Sequence, residues 1–470
     1  MPTMDNNTLN KGGGTLLPMV LIGILFFVFG FVTWLNGALI PFLKIACELN
    51  ELQAYLVAFV FYIAYFVMAL PMSGLLTRFG YRAGLQIGLG VMASGALLFI
   101  PAALSHTFGL FLLALFVLGT GLTILQTAAN PYIVCIGPRE SAAMRISCMG
   151  VVNKGAGFIV PLVFSAWVLT GMDAFTPEAL AQLSELERTA ALEQLSARLV
   201  QPYLAMAVVL ALLLLYVRFS PLPELQLEQG SQVKSCDSLV PRTDWRAILA
   251  YPQAILGALT LFMYIGAEVI AGDSIGLYGQ HLKVAEFGIL TSYTMGFMVL
   301  GYLLGILLIP RVMSQRSALV GSALAGLVFT LGIMLGDETS MRLSSLLLEP
   351  LGIMPLPDPL LYLALLGFAN ALVWPAVWPL ALEGLGRLTA VASALLIMGI
   401  AGGALLPLLY GALVHQGVPH QSAYGILLPC YGMILYYAVA GHKLRAWSGA
   451  AATKAVIDRD LSRSRKIPPC

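Results

Sequence analysis

The chain has few charged residues for its length, and this shortage is the first constraint on what it can be. Only 10% of its 470 residues are Asp, Glu, Lys or Arg, and 59% are hydrophobic, whereas a soluble domain averages about 25% charged residues. No water-soluble fold of this size hides so much apolar surface, so lipid must be the solvent for much of the chain. The formal net charge of +2 is too small to indicate nucleic acid as a partner.

Motifs for metal binding, ATP and secretion are also missing. The six cysteines are scattered without a CxxC pair, which indicates neither a metal site nor a disulfide framework. No Walker sequence occurs, so ATP drive is unsupported and no cofactor is predicted. The polar start "MPTMDNNTLNKGGG" runs straight into a long apolar segment without a signal-peptide cleavage site, so we expect the first helix to be retained.

What the sequence has instead is long apolar runs. A membrane-spanning helix needs about 20 apolar residues, and only helices or closed barrels cross lipid. The runs are too long for barrel strands, so the sequence predicts an all-α membrane protein with twelve transmembrane helices. The predicted spans cover residues 17–43, 53–76, 83–104, 107–136, 146–171, 201–219, 248–272, 285–309, 317–336, 358–382, 388–414 and 421–441.

The distribution of Lys and Arg over the loops predicts the orientation. With the N-terminus inside, 19 of these residues lie on the cytoplasmic side and 5 on the outer side, as the positive-inside rule requires. Both termini are then cytoplasmic. The predicted organisation is a cytoplasmic tail (1–16), a six-helix half (17–219), a cytoplasmic linker (220–246), a second six-helix half (247–441) and a cytoplasmic tail (442–470).

The two predicted halves look like diverged copies of each other. "GLLTRFGYRAGLQIG" parallels "LLIPRVMSQRSALVG", "NPYIVCIGPR" parallels "WPLALEGLGR", and "GAGFIVP" parallels "AGGALLP", in the same order in each half. Repeated halves around a central linker are typical of secondary transporters, which bind their substrate near the membrane midplane between the halves. The long outer loop 172–199 is predicted to form an amphipathic helix over the mouth.

The heptapeptide "QTAANPY" places polar groups inside the fourth predicted span. Gln126 and Asn130 are four residues apart and share one helix face. Pro131 has no N–H to donate to the carbonyl of Thr127, so it kinks the helix there. Two amides and a free carbonyl suit a ligand rich in hydroxyls. The alternative is that the amides only join helices, at about 0.6 kcal/mol each.

Other polar residues interrupt the predicted spans. Trp374 and Trp378 share one helix face, where flat indoles can stack on a sugar ring; the alternative is an interfacial aromatic belt. Asp273 is placed at the outer end of the seventh predicted span and is either a proton-coupling group or a solvated residue there. The complete set of predicted substrate-binding residues is Asn36, Gln126, Asn130, Asn153, Lys154, Glu268, Asn370, Trp374 and Trp378.

Lys154 and Glu268 are the most costly of these residues. A charge at the centre of a bilayer costs roughly 2.5–3.5 kcal/mol even on lenient scales, so such residues persist paired, hydrated or functional. They lie in opposite predicted halves, so a contact between them can form in one transport state and break in the other. The alternative is a static structural ion pair. Glu268 is the predicted proton-coupling residue, with Asp273 as the second candidate.

Several stretches resemble a known family. "FGFVTWLNGALIPFLK", "FYIAYFVMALP", "QTAANPY", "YIGAEV" and "ALLIMGIAGGALLP" are similar to the fucose–galactose–glucose proton symporters of the major facilitator superfamily. Within that family, "MRISCMGVVNKGAG" and "NALVWPAVWPLALEGLGR" look most like bacterial N-acetylglucosamine permeases. The resemblance covers all twelve predicted spans and implies two pseudo-symmetric six-helix halves.

The chain also departs from that family. Fucose-transporting members carry one carboxylate in span one and another in span four, and the matching positions here are Gly37 (or Asn36) and Gln126. Neither position can bind a proton near neutral pH. The acidic residue usual in the loop between spans two and three is here Thr77 in "GLLTRFGYR". The family's proton route therefore cannot be carried over, and Glu268 becomes the candidate.

The sequence as a whole predicts a monomeric sugar permease of a bacterial inner membrane, working by alternating access with proton symport. N-acetylglucosamine is the favoured sugar, with glucose or galactose next. The alternatives are a proton-independent uniporter and a non-transporting sugar sensor. A membrane-embedded enzyme is not predicted, because the five histidines all lie near span ends and no catalytic triad spacing occurs.

Overall fold

The computed structural model describes residues 16–135, 142–175, 177–180, 182–220, 248–309, 311–385 and 388–447. Within these ranges a few side chains, including those of Thr77, Asn130 and Pro131, are not described. All but the first residue of the predicted linker 220–246, and most of the two predicted tails, 1–16 and 442–470, lie outside the described residues.

The described residues form helices joined by short connections, and twelve segments are long and apolar enough to cross a membrane. The predicted number of spans is therefore confirmed. We number them spans 1 to 12: Leu16–Trp34 with Asn36–Ala46, Glu51–Phe79, Tyr81–Leu104, Phe108–Cys135, Ala142–Val168, Val200–Phe219, Pro252–His281, Leu290–Leu308, Gln315–Leu335, Asp358–Asn370 with Val373–Leu382, Thr389–Met398 with Gly402–His415, and Leu427–Val439.

Local sequence explains where these helices begin and break. Asn50 caps span 2 by accepting a hydrogen bond from the backbone N–H of Gln53, whose side chain accepts one from Asn50 in return. Pro252 occupies the first turn of span 7, where its missing N–H costs nothing. Span 10 breaks between Asn370 and Val373, because Pro375 has no N–H to donate to the carbonyl four residues earlier.

Span 7 is longer than the sequence predicted. The apolar pattern predicted its end at residue 272, but the helix continues to His281. Asp273 therefore lies inside the span. The prediction failed because one acidic residue interrupts the hydropathy pattern, although packing against other spans buries every residue from Tyr264 to Gly279.

The antiparallel spans give the molecule two ends. We call the end that carries the connection between spans 5 and 6 the loop face. We call the opposite end, where span 6 ends at Phe219 and span 7 begins at Pro252, the linker face. The loop face carries the helix Glu185–Ala197, capped by Ser184 and buried through Leu192 and Leu195. The predicted amphipathic helix is thus present but shorter, because Met172–Phe175 and Pro177–Leu180 are separate short turns.

The two six-helix halves contact each other from the middle of the molecule to the loop face. A Cβ on Gly37 of span 1 would lie 2.2 Å from Thr291 Oγ1 of span 8. A Cβ on Gly411 of span 11 would lie 2.3 Å from Cδ2 of Tyr55, a span 2 residue. Only glycine allows helices from opposite halves to approach this closely. The loop face is therefore closed in this conformation.

Candidate functional site

An ion pair joins the two halves near the middle of the spans. Lys154 Nζ of span 5 donates a hydrogen bond to Glu268 Oε1 of span 7 at 2.5 Å. Lys154 is 9% exposed and Glu268 is 5% exposed, so both charges are removed from solvent. The contact expected between these residues is present. Because each member belongs to a different half, any movement that separates the halves here must break the pair.

Trp34 completes the surroundings of this ion pair. Lys154 Nζ lies 4.3 Å from the centroid of the Trp34 ring, which is the geometry of a cation–π interaction. The indole fits because glycines flank it: a Cβ on Gly157 would lie 2.6 Å from Trp34 Cδ1, and one on Gly272 would lie 2.5 Å from Cζ3. Trp34 is 2% exposed, and its Nε1 has no hydrogen-bond partner among the described residues.

Tyrosines surround Glu268, and the sequence reasoning missed them. Tyr264, one turn earlier in span 7, is close enough to interact electrostatically with the Glu268 carboxylate. Tyr62 of span 2, Tyr302 of span 8 and Tyr431 of span 12 are also close enough to interact with it electrostatically. Phenol hydroxyls can donate to a carboxylate or to a bound sugar. In the sequence these tyrosines look like ordinary apolar core residues, so no pattern marks them.

Span 10 carries three of the predicted site residues, Asn370, Trp374 and Trp378. Asn370 is fully buried, and its Oδ1 accepts a hydrogen bond from the Tyr431 hydroxyl at 3.0 Å, while its Nδ2 has no partner among the described residues. The Trp374 and Trp378 rings lie 5.5 Å apart, and both residues are half-buried. Trp374 also contacts Tyr264 of span 7, with 6.4 Å between ring centroids. Trp374 therefore packs inside the C-terminal half, rather than in an interfacial belt.

The predicted site residues of the N-terminal half have different environments. Gln126 is half-buried and forms no hydrogen bond with a described residue. Asn153 Nδ2 donates to the carbonyl of Phe26 at 3.3 Å, so this amide joins span 5 to span 1. Asn36 is 1% exposed, and its Nδ2 has no partner among the described residues. The Asn130 side chain lies outside the described residues.

Asp273 is buried, and the interpretation of it as a solvated residue at a helix end is wrong. Its exposure is 0%, and neither carboxylate oxygen has a hydrogen-bond partner among the described residues. Tyr55 and Tyr62 of span 2 and Glu268 are close enough to interact with it electrostatically. Span 7 therefore holds two buried acidic residues, Glu268 and Asp273. An ionised carboxylate without a partner is costly in such surroundings, and binding a proton removes most of that cost.

Position 37, which matches the first of the family's two carboxylates, has no room for an acidic side chain in this conformation. At position 37 a Cβ would lie 2.2 Å from Thr291 Oγ1 and 2.9 Å from the carbonyl of Gly272. That carbonyl already accepts a hydrogen bond from Thr291 Oγ1 at 2.8 Å. The chain therefore uses position 37 for close contact between the halves, and the buried acids Glu268 and Asp273 lie in span 7 instead.

Two six-helix halves, joined at mid-membrane by an ion pair and lined by amides and indoles, define a two-half membrane transporter. The chain matches the family model of the Major Facilitator Superfamily over residues 22–407, and it belongs to that superfamily. It is 30% identical over 425 residues to the glucose/galactose transporter of Brucella abortus (strain 9-941), covering 89% of this chain and 93% of that protein.

Two further comparisons agree with this assignment. The L-fucose-proton symporter of Escherichia coli (strain K12) is 26% identical over 434 residues, covering 90% of this chain and 92% of that protein. The crystal structure of FucP in the outward conformation has a TM-score of 0.68 at 24% identity, covering 90% of this chain and 98% of that one. The predicted fold and superfamily are confirmed, and so is the prediction of a transporter rather than an enzyme.

Proposed function

We propose that the protein is a secondary sugar permease, which imports a monosaccharide together with a proton by alternating access. The relatives support the substrate class, because those of Brucella and Escherichia are named as transporters of glucose, galactose or fucose. The excess of Lys and Arg predicted on one side supports the orientation, with the loop face outside, the linker face and both termini in the cytoplasm, and the chain in a bacterial inner membrane.

The observation that carries this proposal is the ion pair between Lys154 and Glu268. A buried pair between halves is intact only while those halves are together, so it contributes to one transport state and not to the other. In the conformation described here the loop face is closed and the pair is formed. Sugar and proton binding can therefore change the relative stability of the two states through these two residues.

For the substrate we favour N-acetylglucosamine, with glucose or galactose next. Asn370 Nδ2 and Trp378 Nε1, both in span 10, are buried donors without a hydrogen-bond partner among the described residues. They suit a ligand with strong acceptors, such as the carbonyl of an acetamido group. The half-buried Trp374 and Trp378 supply flat surfaces for a sugar ring. The assignment is tested by counterflow in proteoliposomes, in which uptake of labelled N-acetylglucosamine is measured against a panel of unlabelled sugars. Absence of N-acetylglucosamine counterflow would contradict it.

Glu268 is the proposed proton-coupling group. When it is ionised it pairs with Lys154, which favours the state with a closed outer face; when it is protonated the pair weakens and that face is released. The proton then binds from outside together with the sugar and leaves toward the cytoplasm. Asp273, buried in the same span within electrostatic range of Glu268, is the second carboxyl group in this proposal.

The Glu268→Gln variant tests the coupling. Because Gln resembles the permanently protonated acid, we expect the variant to bind sugar and exchange it across the membrane, but to lose accumulation driven by a pH gradient. Glu383→Gln is a matched control, since Glu383 pairs with Arg445 at 2.5 Å within one half and is exposed. If Glu268→Gln still concentrates sugar as well as the parent, Glu268 is not the coupling residue. If the unmodified protein exchanges sugar but shows no accumulation driven by a pH gradient, it is a uniporter. If it exchanges no sugar at all, it is a sensor.

A further inference from the structure

The indole of Trp34 lies where span 1 is broken. The first helix of this span ends at Trp34, and the second begins at Asn36. One edge of the ring faces span 5, because a Cβ on Gly157 would lie 2.6 Å from Trp34 Cδ1. The opposite edge faces span 7, because a Cβ on Gly272 would lie 2.5 Å from Trp34 Cζ3. The ring is therefore held between a helix of its own half and a helix of the other half.

The two glycines place this indole on the loop-face side of the ion pair. Gly157 follows Lys154 in span 5, and Gly272 follows Glu268 in span 7, each by one helical turn. Spans 5 and 7 both run toward the loop face, so each glycine lies nearer to that face than its charged neighbour. Trp34 is 2% exposed. In the closed conformation the indole therefore lies between the ion pair and the loop face.

Close packing of spans 1 and 5 keeps the indole beside Lys154. One turn before Trp34, a Cβ on Gly30 would overlap the backbone carbonyl of Asn153. The Asn153 side chain donates a hydrogen bond to the carbonyl of Phe26 in span 1 at 3.3 Å, and Lys154 is the next residue of span 5. Trp34 and Lys154 therefore belong to one packed unit of the N-terminal half. A movement of one half against the other does not separate them.

Lys154 thus has two partners of different kinds among the described residues. Its Nζ donates to Glu268 Oε1 at 2.5 Å, and it lies 4.3 Å from the centroid of the Trp34 ring. Glu268 belongs to the other half and loses its charge when it binds a proton. The indole belongs to the same half and does not titrate. A π face attracts a cation less strongly than a buried carboxylate does, but the attraction is greatest where water is excluded.

We propose that Trp34 is a positioning residue, which holds the ammonium group of Lys154 in place while Glu268 is neutral. This inference rests on the proposed proton symport and adds a residue that the coupling step needs. When Glu268 binds a proton from outside, one O–H bond forms on its carboxylate, and the charge of Lys154 is no longer balanced. A buried charge without a partner is costly. The face of Trp34 supplies an attraction that remains after the carboxylate is neutralised.

The unequal strength of the two partners makes the arrangement reversible. While Glu268 is ionised, Lys154 pairs with it and the two halves stay together. While Glu268 is neutral, Trp34 keeps Lys154 in place through a contact within one half, so the halves are free to separate. Once Glu268 releases its proton toward the cytoplasm, its carboxylate attracts Lys154 more strongly than the indole does, and the pair forms again. An aliphatic side chain at position 34 would leave Lys154 without this second partner.

The test combines substitutions at Trp34 and Glu268 and measures the midpoint temperature of unfolding, Tm, of the purified protein. Trp34→Leu removes the π face, and Trp34→Phe keeps a smaller one. Glu268→Gln removes the negative charge that balances Lys154, and Lys154→Met together with Glu268→Gln removes the cation as well. Phe42→Leu is the matched control. Phe42 is a fully buried ring of span 1 that packs on Phe164 of span 5, with 6.1 Å between ring centroids.

We expect Trp34→Leu to lower Tm by roughly 2–4 °C more in the Glu268→Gln background than in the unmodified protein, because a desolvated cation–π contact is then lost from an unbalanced cation. Trp34→Phe should recover part of this extra loss. The extra loss should disappear when Lys154→Met is also present. Phe42→Leu should lower Tm equally in every background.

Equal losses with Trp34→Leu in all backgrounds overturn the proposal, because the indole then only packs. An extra loss that persists with Lys154→Met, no recovery with Trp34→Phe, or no folded protein with Trp34→Leu alone also overturns it. If only Trp34→Leu with Glu268→Gln fails to fold, folded protein from Trp34→Phe in that background supports the proposal, and its absence overturns it. These measurements use no proton gradient, so absence of pH-driven accumulation in the unmodified protein refutes the symport separately.

Discussion

Removal of Lys154 should open the loop face. In the closed conformation Lys154 Nζ lies 2.5 Å from Glu268 Oε1, and both residues are buried. Lys154→Met has similar length but leaves Glu268 without its counter-ion. Breaking a buried ion pair in this way costs about 3–5 kcal/mol. If the whole cost falls on the closed state, the equilibrium between closed and open states shifts roughly 100- to 4,000-fold toward opening.

The shift can be read from a cysteine placed between the halves. Ser165 of span 5 lies at the loop face, where its Oγ would be 3.2 Å from a Cβ on Gly288. Ser165→Cys is nearly isosteric, and in a background without the six native cysteines it reports access from the loop face to a membrane-impermeant maleimide. We expect slow labelling in the parent and much faster labelling with Lys154→Met.

A second substitution separates loss of the pair from general damage. Lys154→Met combined with Glu268→Gln leaves no uncompensated charge, so the double variant should recover most of the slow labelling, with a large coupling energy in the double-mutant cycle. Low pH should have a similar effect on Lys154→Met alone, since a protonated Glu268 needs no counter-ion. Labelling of Lys154→Met at the parental rate would refute the argument that this pair stabilises the closed state.

Two further predictions concern sugar binding. Gln126→Ala and Asn130→Ala should each weaken binding by roughly 5- to 150-fold, because a lost hydrogen bond to a buried group costs about 1–3 kcal/mol; unchanged affinities by calorimetry in both variants would rule out this role. Trp374 or Trp378 should change its fluorescence when the sugar binds, and replacing the responsible indole by Phe should abolish the signal. A response that persists in both Phe variants would rule out stacking on these rings.

Some contacts between the two halves could be predicted from the sequence, and others could not. Lys154 and Glu268 were identifiable because charges are expensive in lipid, and their places in opposite halves suggested a contact that the structure contains. The place of Trp34 over Lys154 was not visible in the sequence. That contact depends on Gly157 and Gly272, and their spacing from Trp34 becomes clear only when three spans are packed together.

The burial of Asp273 could not be predicted from the hydropathy pattern of span 7. A carboxylate lowers the mean hydropathy of any window that contains it, so the pattern ended span 7 at residue 272, nine residues before the helix ends at His281, and left Asp273 at the outer end of the span. Burial of a side chain depends on all the neighbouring spans, and no pattern local to span 7 records them. His281 and His420 were missed for a similar reason: each lies near a span end in the sequence, and only packing of spans 7 and 12 brings their rings within 4.4 Å.

The sequence by itself determined the solvent, the number of spans and the two-half organisation, because the length and apolarity of a membrane helix are local properties of the chain. It also identified the charged and amide residues that are costly in lipid. Only the tertiary structure decided which of them meet, which face of the protein is closed, that Asp273 is buried, and that tyrosines and histidines far apart in the chain pack against one another. These features arise from helix packing, where a close approach at Gly37 or Gly411 depends on residues in the opposite half.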